Sequence, residues 1–265
     1  LSQVTVIFED GTDIYFARQL VNEKIQEAKG KLPAGIEPTM GPIATGLGEI
    51  YMWTVEAEEG AKKTDGTPYT PTDLRTIQDW VIKPQLRNVK GVTEVNTIGG
   101  YEKQFHVTPY PEKLIAYGLT FQNVLEALEK NNANIGAGYI EHRGEQYLIR
   151  APGQVADMED IRQVVIGNHQ GVPIHIKDVA EVLLGKELRT GAATENGQEV
   201  VLGTVFMLMG ENSRTVSQKV ADKLVEINRT LPEGVAAKAV YDRTTLVDAT
   251  IETVKKNLME GAILV

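Results

Sequence analysis

Leu231-Pro232-Glu233-Gly234-Val235 repeats a pattern that first occurs 199 residues earlier, at Leu32-Pro33-Ala34-Gly35-Ile36. At that same offset Gly210 matches Gly11 and Asn212 matches Asp13, while Val216, Val220, Leu224 and Ile227 match Ala17, Val21, Ile25 and Ala28. Each copy reads strand, glycine turn, one-sided apolar helix, Leu-Pro-x-Gly stop, strand, over 4–38 and over 203–237. A helix with one apolar side must bury it, and in a strand–helix–strand unit the surface at hand is a sheet. The fold class is therefore mixed α/β (α+β). A spacing of 199 is no solenoid period and points to related subdomains with something inserted between them.

Outward from these copies the rest falls into place. Val4, Val6 and Phe8 alternate as on a strand face, and Thr12 or Asp13 caps a helix that runs to about Lys29. After a turn-rich linker, residues 49–58 read as a strand in which Tyr51 and Trp53 suit a pleated surface. Thr72 is the expected cap of the next helix, with Leu74, Ile77, Val81, Leu86 and Val89 inward, and Pro84 should kink or divide it. Val92–Ile98 returns as a strand, and Gly99-Gly100 marks a boundary.

Residues 99–186 read as a compact mixed segment. It holds a strand over 101–108, helices at Pro111–Tyr117 and from Thr120, and a loop over 131–138. A hairpin over 139–150 turns at Arg143-Gly144. A short helix over 157–163 precedes two strands around Asn168-His169-Gln170-Gly171. A strand over 187–195, a hairpin turn at Asn196-Gly197 and a strand over 199–208 lead into the second copy. A segment that enters and leaves between strands is an insertion. A split βαβ sandwich takes two units per sheet, so the unit at 49–98 pairs with that at 199–240. The unit at 1–40 is left over, and its partner is expected before Leu1, which is not a start methionine. After Asp242, Leu246, Val247, Ile251, Val254 and Leu258 recur at helical spacing and run into Gly261-Ala262-Ile263-Leu264-Val265. That tail is far short of the ~20 apolar residues of a membrane span. It reads as a frayed apolar end or as the start of a membrane helix.

Composition excludes some classes. The 265 residues contain no cysteine, which removes disulfides and thiolate metal sites. A formal net charge of −9 argues against nucleic-acid binding. No Walker loop, G-x-G-x-x-G, H-E-x-x-H or G-x-S-x-G is present, so an enzymatic reading has no residues to rest on. The four histidines are dispersed; His169 and His175 flank a turn and could face each other, although surface histidines are the plainer explanation. Met40, Met52, Met207 and Met209 could suggest a thioether site for Cu(I), against which core packing is the stronger reading. Glu49 opens a strand straight after the glycine-rich linker, and Glu94 lies in the strand expected beside it. Two carboxylates there suit a hard or borderline divalent cation, against the plain reading of solvated strand-end charges.

Several stretches then resemble one family. Val6-Ile7-Phe8-Glu9-Asp10-Gly11-Thr12-Asp13, Gly46-Leu47-Gly48-Glu49-Ile50-Tyr51, Gln78-Asp79-Trp80, Gly118-Leu119-Thr120, Arg150-Ala151-Pro152-Gly153, Glu195-Asn196-Gly197, Leu231-Pro232-Glu233-Gly234 and Tyr241-Asp242-Arg243 are similar to the periplasmic porter region of resistance-nodulation-division (RND) efflux pumps. The similarity covers essentially the whole chain and is nearest the heavy-metal branch of cobalt-zinc-cadmium type. It implies ferredoxin-like split βαβ porter subdomains with an inserted mixed α/β docking subdomain. Residues 1–47 would be the latter half of the first porter subdomain, 48–98 with 187–242 the second, 99–186 the docking subdomain, and 243–265 the start of the second transmembrane helix.

The resemblance implies the periplasmic portion of a Gram-negative inner-membrane pump, a proton/cation antiporter with no cofactor of its own. It would work as a homotrimer with a periplasmic membrane-fusion adaptor and an outer-membrane channel. Glu49 and Glu94 would lie near the substrate cleft, as ligands of a transported zinc, cobalt or cadmium ion. The copper and silver branch carries a bulky aromatic at the position of Glu49, so the carboxylate favours the divalent metals. Other readings are a docking module, a monovalent Cu/Ag pump or a multidrug member of the same superfamily; aromatic residues at 6 % weaken the last.

Overall fold

The computed structural model describes residues 2–264 except 34, 45, 133–134, 143–144, 152–153 and 189–190; at 46, 135–142, 145–151 and 264 it describes the backbone alone. Helix α1 (Ile14–Lys29) starts where the Asp13 carboxylate accepts the Phe16 amide at 2.8 Å, which satisfies one of the orphan donors of the first turn. The strands expected on either side of α1 do not form. Residues 4–8 have no ladder partner among the described residues, and a strand exists only through its partner's hydrogen bonds.

Strand β1 (Glu49–Ala57) is followed by α2 (Pro71–Ile77). The cap of α2 is Thr70, not the expected Thr72. Asp73 at the third helical position completes a reciprocal pair with Thr70, and Pro71 takes the first position, where no amide donor is missed. Pro84 divides the helix as anticipated. A wide π turn (Gln78–Ile82) lets the Lys83 amide reach the Gln78 carbonyl, and α3 (Lys83–Arg87) restarts around the proline. Strand β2 (Val92–Ile98) closes the unit.

The segment that follows contains β3 (Lys103–Pro109), α4 (Pro111–Tyr117), α5 (Phe121–Lys130), β4 (Ile135–His142), β5 (Glu145–Ala151), α6 (Met158–Gln163), β6 (Val165–His169), β7 (Val172–His175), α7 (Ile176–Val179) and β8 (Ala180–Lys186). Strand β4 begins inside the stretch read as a loop, and the hairpin turn placed at Arg143-Gly144 lies outside the described residues. Strand β8, not read from the sequence, pairs with β3 from Lys103 opposite Lys186 to Pro109 opposite Ala180. This segment has its own buried apolar residues, among them Val124, Ile161, Ile174, Ile176 and Val179.

Among the described residues of the expected 187–195 strand, Ala193–Glu195 (β9) is the part that forms. It turns at Asn196-Gly197, with φ of 51° and 80°, into β10 (Gln198–Met207). Helix α8 (Ser213–Asn228), β11 (Val235–Asp242) and α9 (Arg243–Leu264) complete the chain.

The main sheet runs β11-β1-β10-β2 with every neighbouring pair antiparallel, β9 extending it beside β10. The first strand of the second unit thus inserts between the two strands of the first, which is the ferredoxin-like interleaving. Tyr51, Trp53, Val55, Val95, Val201 and Val205 point to one face and bury against Ile82, Leu86, Val216, Val220, Leu224 and Ile227. The Trp53 indole lies over Gly203, where a Cβ would overlap its ring. Its Nε1 donates to Gln78 Oε1 at 2.9 Å inside the core. From Gln78 a polar chain continues: Nε2 donates to Thr97 Oγ1 (3.4 Å), Thr97 donates to Asp79 Oδ1 (2.6 Å), and Arg75 bridges Asp79 Oδ2 (2.5 Å) to the Gly99 carbonyl (2.9 Å).

The sequence repeat recurs in the glycine turns and the helix, and not in the flanking strands, which among the described residues only the second copy forms. Gly11 and Gly210 have φ of 86° and 91°, Asp13 and Asn212 are both helix caps, α1 and α8 are both 16 residues, and Gly35 and Gly234 have φ of 87° and 76°. The copies differ in burial. Helix α8 buries Val216, Val220, Leu224 and Ile227, whereas α1 buries Ala17 alone.

Candidate functional site

Glu49 and Glu94 meet across one residue. In the register of β1 with β10, Glu49 is opposite Phe206; in that of β10 with β2, Phe206 is opposite Glu94. The strands of the two glutamates are therefore not neighbours, as the sequence reading had it, because β10 lies between them. Residues paired across antiparallel strands share a face, so Glu49, Phe206 and Glu94 form one row. The next row, Tyr51–Val205–Val95, faces the helices and is buried, so the glutamate row lies on the opposite face of the sheet. Two strand spacings put the glutamate Cα atoms roughly 9–10 Å apart.

All three side chains are half-buried. The adjacent row on the same face is Met52–Thr204–Asn96. The row is thus a shallow, mixed surface: two carboxylates on either side of an aromatic ring, with an amide and a thioether beside it. A β-bulge follows Glu49 at once, since Tyr51 is already opposite Val205. It sends both Ile50 and Tyr51 into the core and leaves Glu49 on the open face.

Among the described residues no three His, Cys, Asp or Glu side chains gather as a metal site. The two glutamates are a partial ligand set whose remaining donors would come from water or from another surface. His169 and His175 do not face each other. His169 stands opposite Val172 and His175 opposite Val165, at the two ends of the hairpin. The His169 ring meets the Tyr117 ring edge-on at 5.7 Å, and the His175 amide donates to Asp178 at the start of α7. Met207 packs against the core, as the packing reading held, while Met52 sits on the opposite face. A cavity of about 260 Å³, lined by Arg75, Thr97, Glu102 and Glu187, is at the crossing into the 103–186 segment and is not part of the glutamate row. Phe206 was not singled out from the sequence. Its signal was the alternation Leu202, Thr204, Phe206 against Val201 and Val205.

The model of the AcrB/AcrD/AcrF family matches residues 1–265. The chain belongs to that family. These are the RND transporters that the sequence resembles. The cobalt-zinc-cadmium resistance protein CzcA of Cupriavidus metallidurans is 71 % identical over all 265 residues, which make up 25 % of that relative. Protein HelA of Legionella pneumophila is 68 % identical over the same span, and the cation efflux system protein CusA of Escherichia coli K12 is 39 % identical over 266 residues. The X-ray structure of a heavy metal efflux pump in crystal form II superposes with a TM-score of 0.82 at 30 % identity, over 96 % of this chain and 25 % of that one. The chain therefore spans about a quarter of the length of the RND relatives it matches. Among the described residues no helix is long and apolar enough to cross a membrane.

Proposed function

We propose that this chain is the periplasmic porter and docking part of a proton-driven RND pump that exports a divalent heavy-metal cation, zinc, cobalt or cadmium. The observation that carries the reading is the Glu49–Phe206–Glu94 row, in a chain 71 % identical to a cobalt-zinc-cadmium resistance protein. The sheet face opposite the helices is one wall of the substrate cleft. Glu49 and Glu94 supply carboxylate oxygens, which suit borderline divalent ions better than the soft Cu(I) ion. Phe206 between them keeps water from one side of the bound ion and strengthens its attraction to the carboxylates. A facing wall supplies the other ligands, so closing and opening the cleft makes and breaks the site.

In this proposal residues 1–47, 48–98 with 187–242, and 99–186 take the porter and docking roles, and α9 leads into a membrane helix. The working unit is a homotrimer joined to a periplasmic adaptor and an outer-membrane channel. Substrate release is rigid-body movement of the sheet unit.

The test is metal tolerance in a strain deleted for the pump and complemented with the full-length protein. Wild type is expected to restore growth on zinc, cobalt or cadmium, and Glu49→Gln or Glu94→Gln to fail at equal membrane levels. Unchanged tolerance to all three metals in the deletion strain defeats the exporter reading. Full activity of both variants returns the two glutamates to ordinary surface charges.

A further inference from the structure

Tyr241-Asp242-Arg243 has no role in the site so far, yet it reaches the site's edge. Strand β11 pairs with β1 so that Asp242 lies opposite Tyr51, and the next residue, Arg243, projects past the start of β1. The Asp242 carboxylate accepts the Thr244 amide at 2.8 Å, which anchors the junction where α9 begins. From there the Arg243 guanidinium donates through Nη1 to the Leu47 carbonyl, two residues before Glu49.

The loop that receives this bond is tied at two more points. The Met209 amide donates to the Ile43 carbonyl at 3.2 Å. Gly48 lies so close to β10 that a Cβ there would stand 3.3 Å from the Met207 carbonyl oxygen. Residues Gly46–Gly48 form a single tight turn between these ties, and the bulge that sets Glu49 apart from Ile50 and Tyr51 follows directly. Where this turn ends decides which residue of β1 is left on the open face. A shift of the Leu47 peptide is a shift of Glu49.

We infer that Arg243 is a positioning residue for Glu49, holding the Leu47 carbonyl so that the bulge presents the Glu49 carboxylate to the cation; this rests on the reading of Glu49 as a substrate ligand. Arg243 touches no substrate itself. Its effect passes through the backbone of Leu47 and Gly48, so Gly48 belongs to the same device.

The test uses the full-length pump in proteoliposomes with Zn²⁺ as the transported ion, reading KM and maximal rate separately. Arg243→Ala is expected to raise KM about 10-fold, the low end for an outer partner of a metal ligand. Arg243→Lys retains one donor and should stay near wild type. Gly48→Ala, which displaces the same turn from Met207, should reproduce the rise and serves if Arg243→Ala does not accumulate. In the Glu49→Gln background Arg243→Ala should add nothing, since the group it positions is gone. A KM unchanged in Arg243→Ala while Glu49→Gln raises it overturns the inference and leaves the metal site standing. So does a rise that multiplies with that of Glu49→Gln. A KM unchanged in Glu49→Gln itself removes the reading on which the inference rests.

Discussion

Trp53 and Gly203 share one space: they are paired across β1 and β10, and the indole occupies the volume a side chain at position 203 would need. The absence of a Cβ in the central strand lets the largest side chain of the core lie low enough for its Nε1 to reach Gln78. Gly203→Ala is expected to cost about 1–3 kcal/mol by forcing the ring out of place. Trp53→Phe leaves Gln78 Oε1 buried without its donor, at a cost of about 1–3 kcal/mol. Urea denaturation of the chain reads both, and an unmoved midpoint for Gly203→Ala would mean the indole has room it does not have here.

The two copies of the repeat should respond differently to the same lesion. Asp13→Ala and Asn212→Ala each remove a helix cap, worth about 1 kcal/mol. Helix α8 is part of the sheet core, so Asn212→Ala should lower the midpoint of the main unfolding transition. Helix α1 buries Ala17 alone, so Asp13→Ala should leave that midpoint where it is and speed amide exchange only in the first turn of α1. Equal shifts from the two variants would make α1 part of the same cooperative unit.

Acid should weaken the sheet through Glu56. The Lys238 ammonium at 2.7 Å, and after it the Thr54 hydroxyl at 2.7 Å, hold the Glu56 carboxyl below its ordinary value of 4.5. A depressed acid contributes stability that is complete above the ordinary value and is lost as pH falls through the lower, folded one. The wild type should therefore lose stability below about pH 4.5 more steeply than Glu56→Gln, which lacks this titration. Denaturation midpoints measured from pH 7 to pH 3 give the comparison; parallel curves for the two proteins would show that the Lys238 contact is not held in solution.

Much of the architecture was legible because it is local. Asp13, one of the two caps read for α1, and Thr120, read as opening α5, cap through bonds to amides three residues away, a spacing that lies within the sequence itself. Val92–Ile98 and Pro111–Tyr117 carry their own periods and stop signals, and the structure has them at those bounds. Thr72 was misread for Thr70 because both are Thr near a helix start, and only the Asp73 bond back to Thr70 separates them. Strand β8 was missed, and a strand at 4–8 was read where none forms, because pairing is settled by a partner far away in the chain. The candidate site shows the same division. Glu49 and Glu94 stood out by type and position, but Phe206 between them and Arg243 behind Glu49 are joined to them only by the fold.

The sequence by itself determined most of the helices, the Asp13 cap, the Asn196-Gly197 turn, the twofold use of one glycine-turn–helix–glycine pattern and the family to which the chain belongs. Each of these rests on contacts within a few residues, or on identity along the whole chain. Only the tertiary structure decided that β10 enters between β1 and β2, that Glu49 and Glu94 flank one aromatic ring, and that Arg243 reaches the loop before Glu49. Those relations join residues more than a hundred positions apart. Their register is chosen by which faces can be buried together, a property of the assembled sheet and of no single stretch of it.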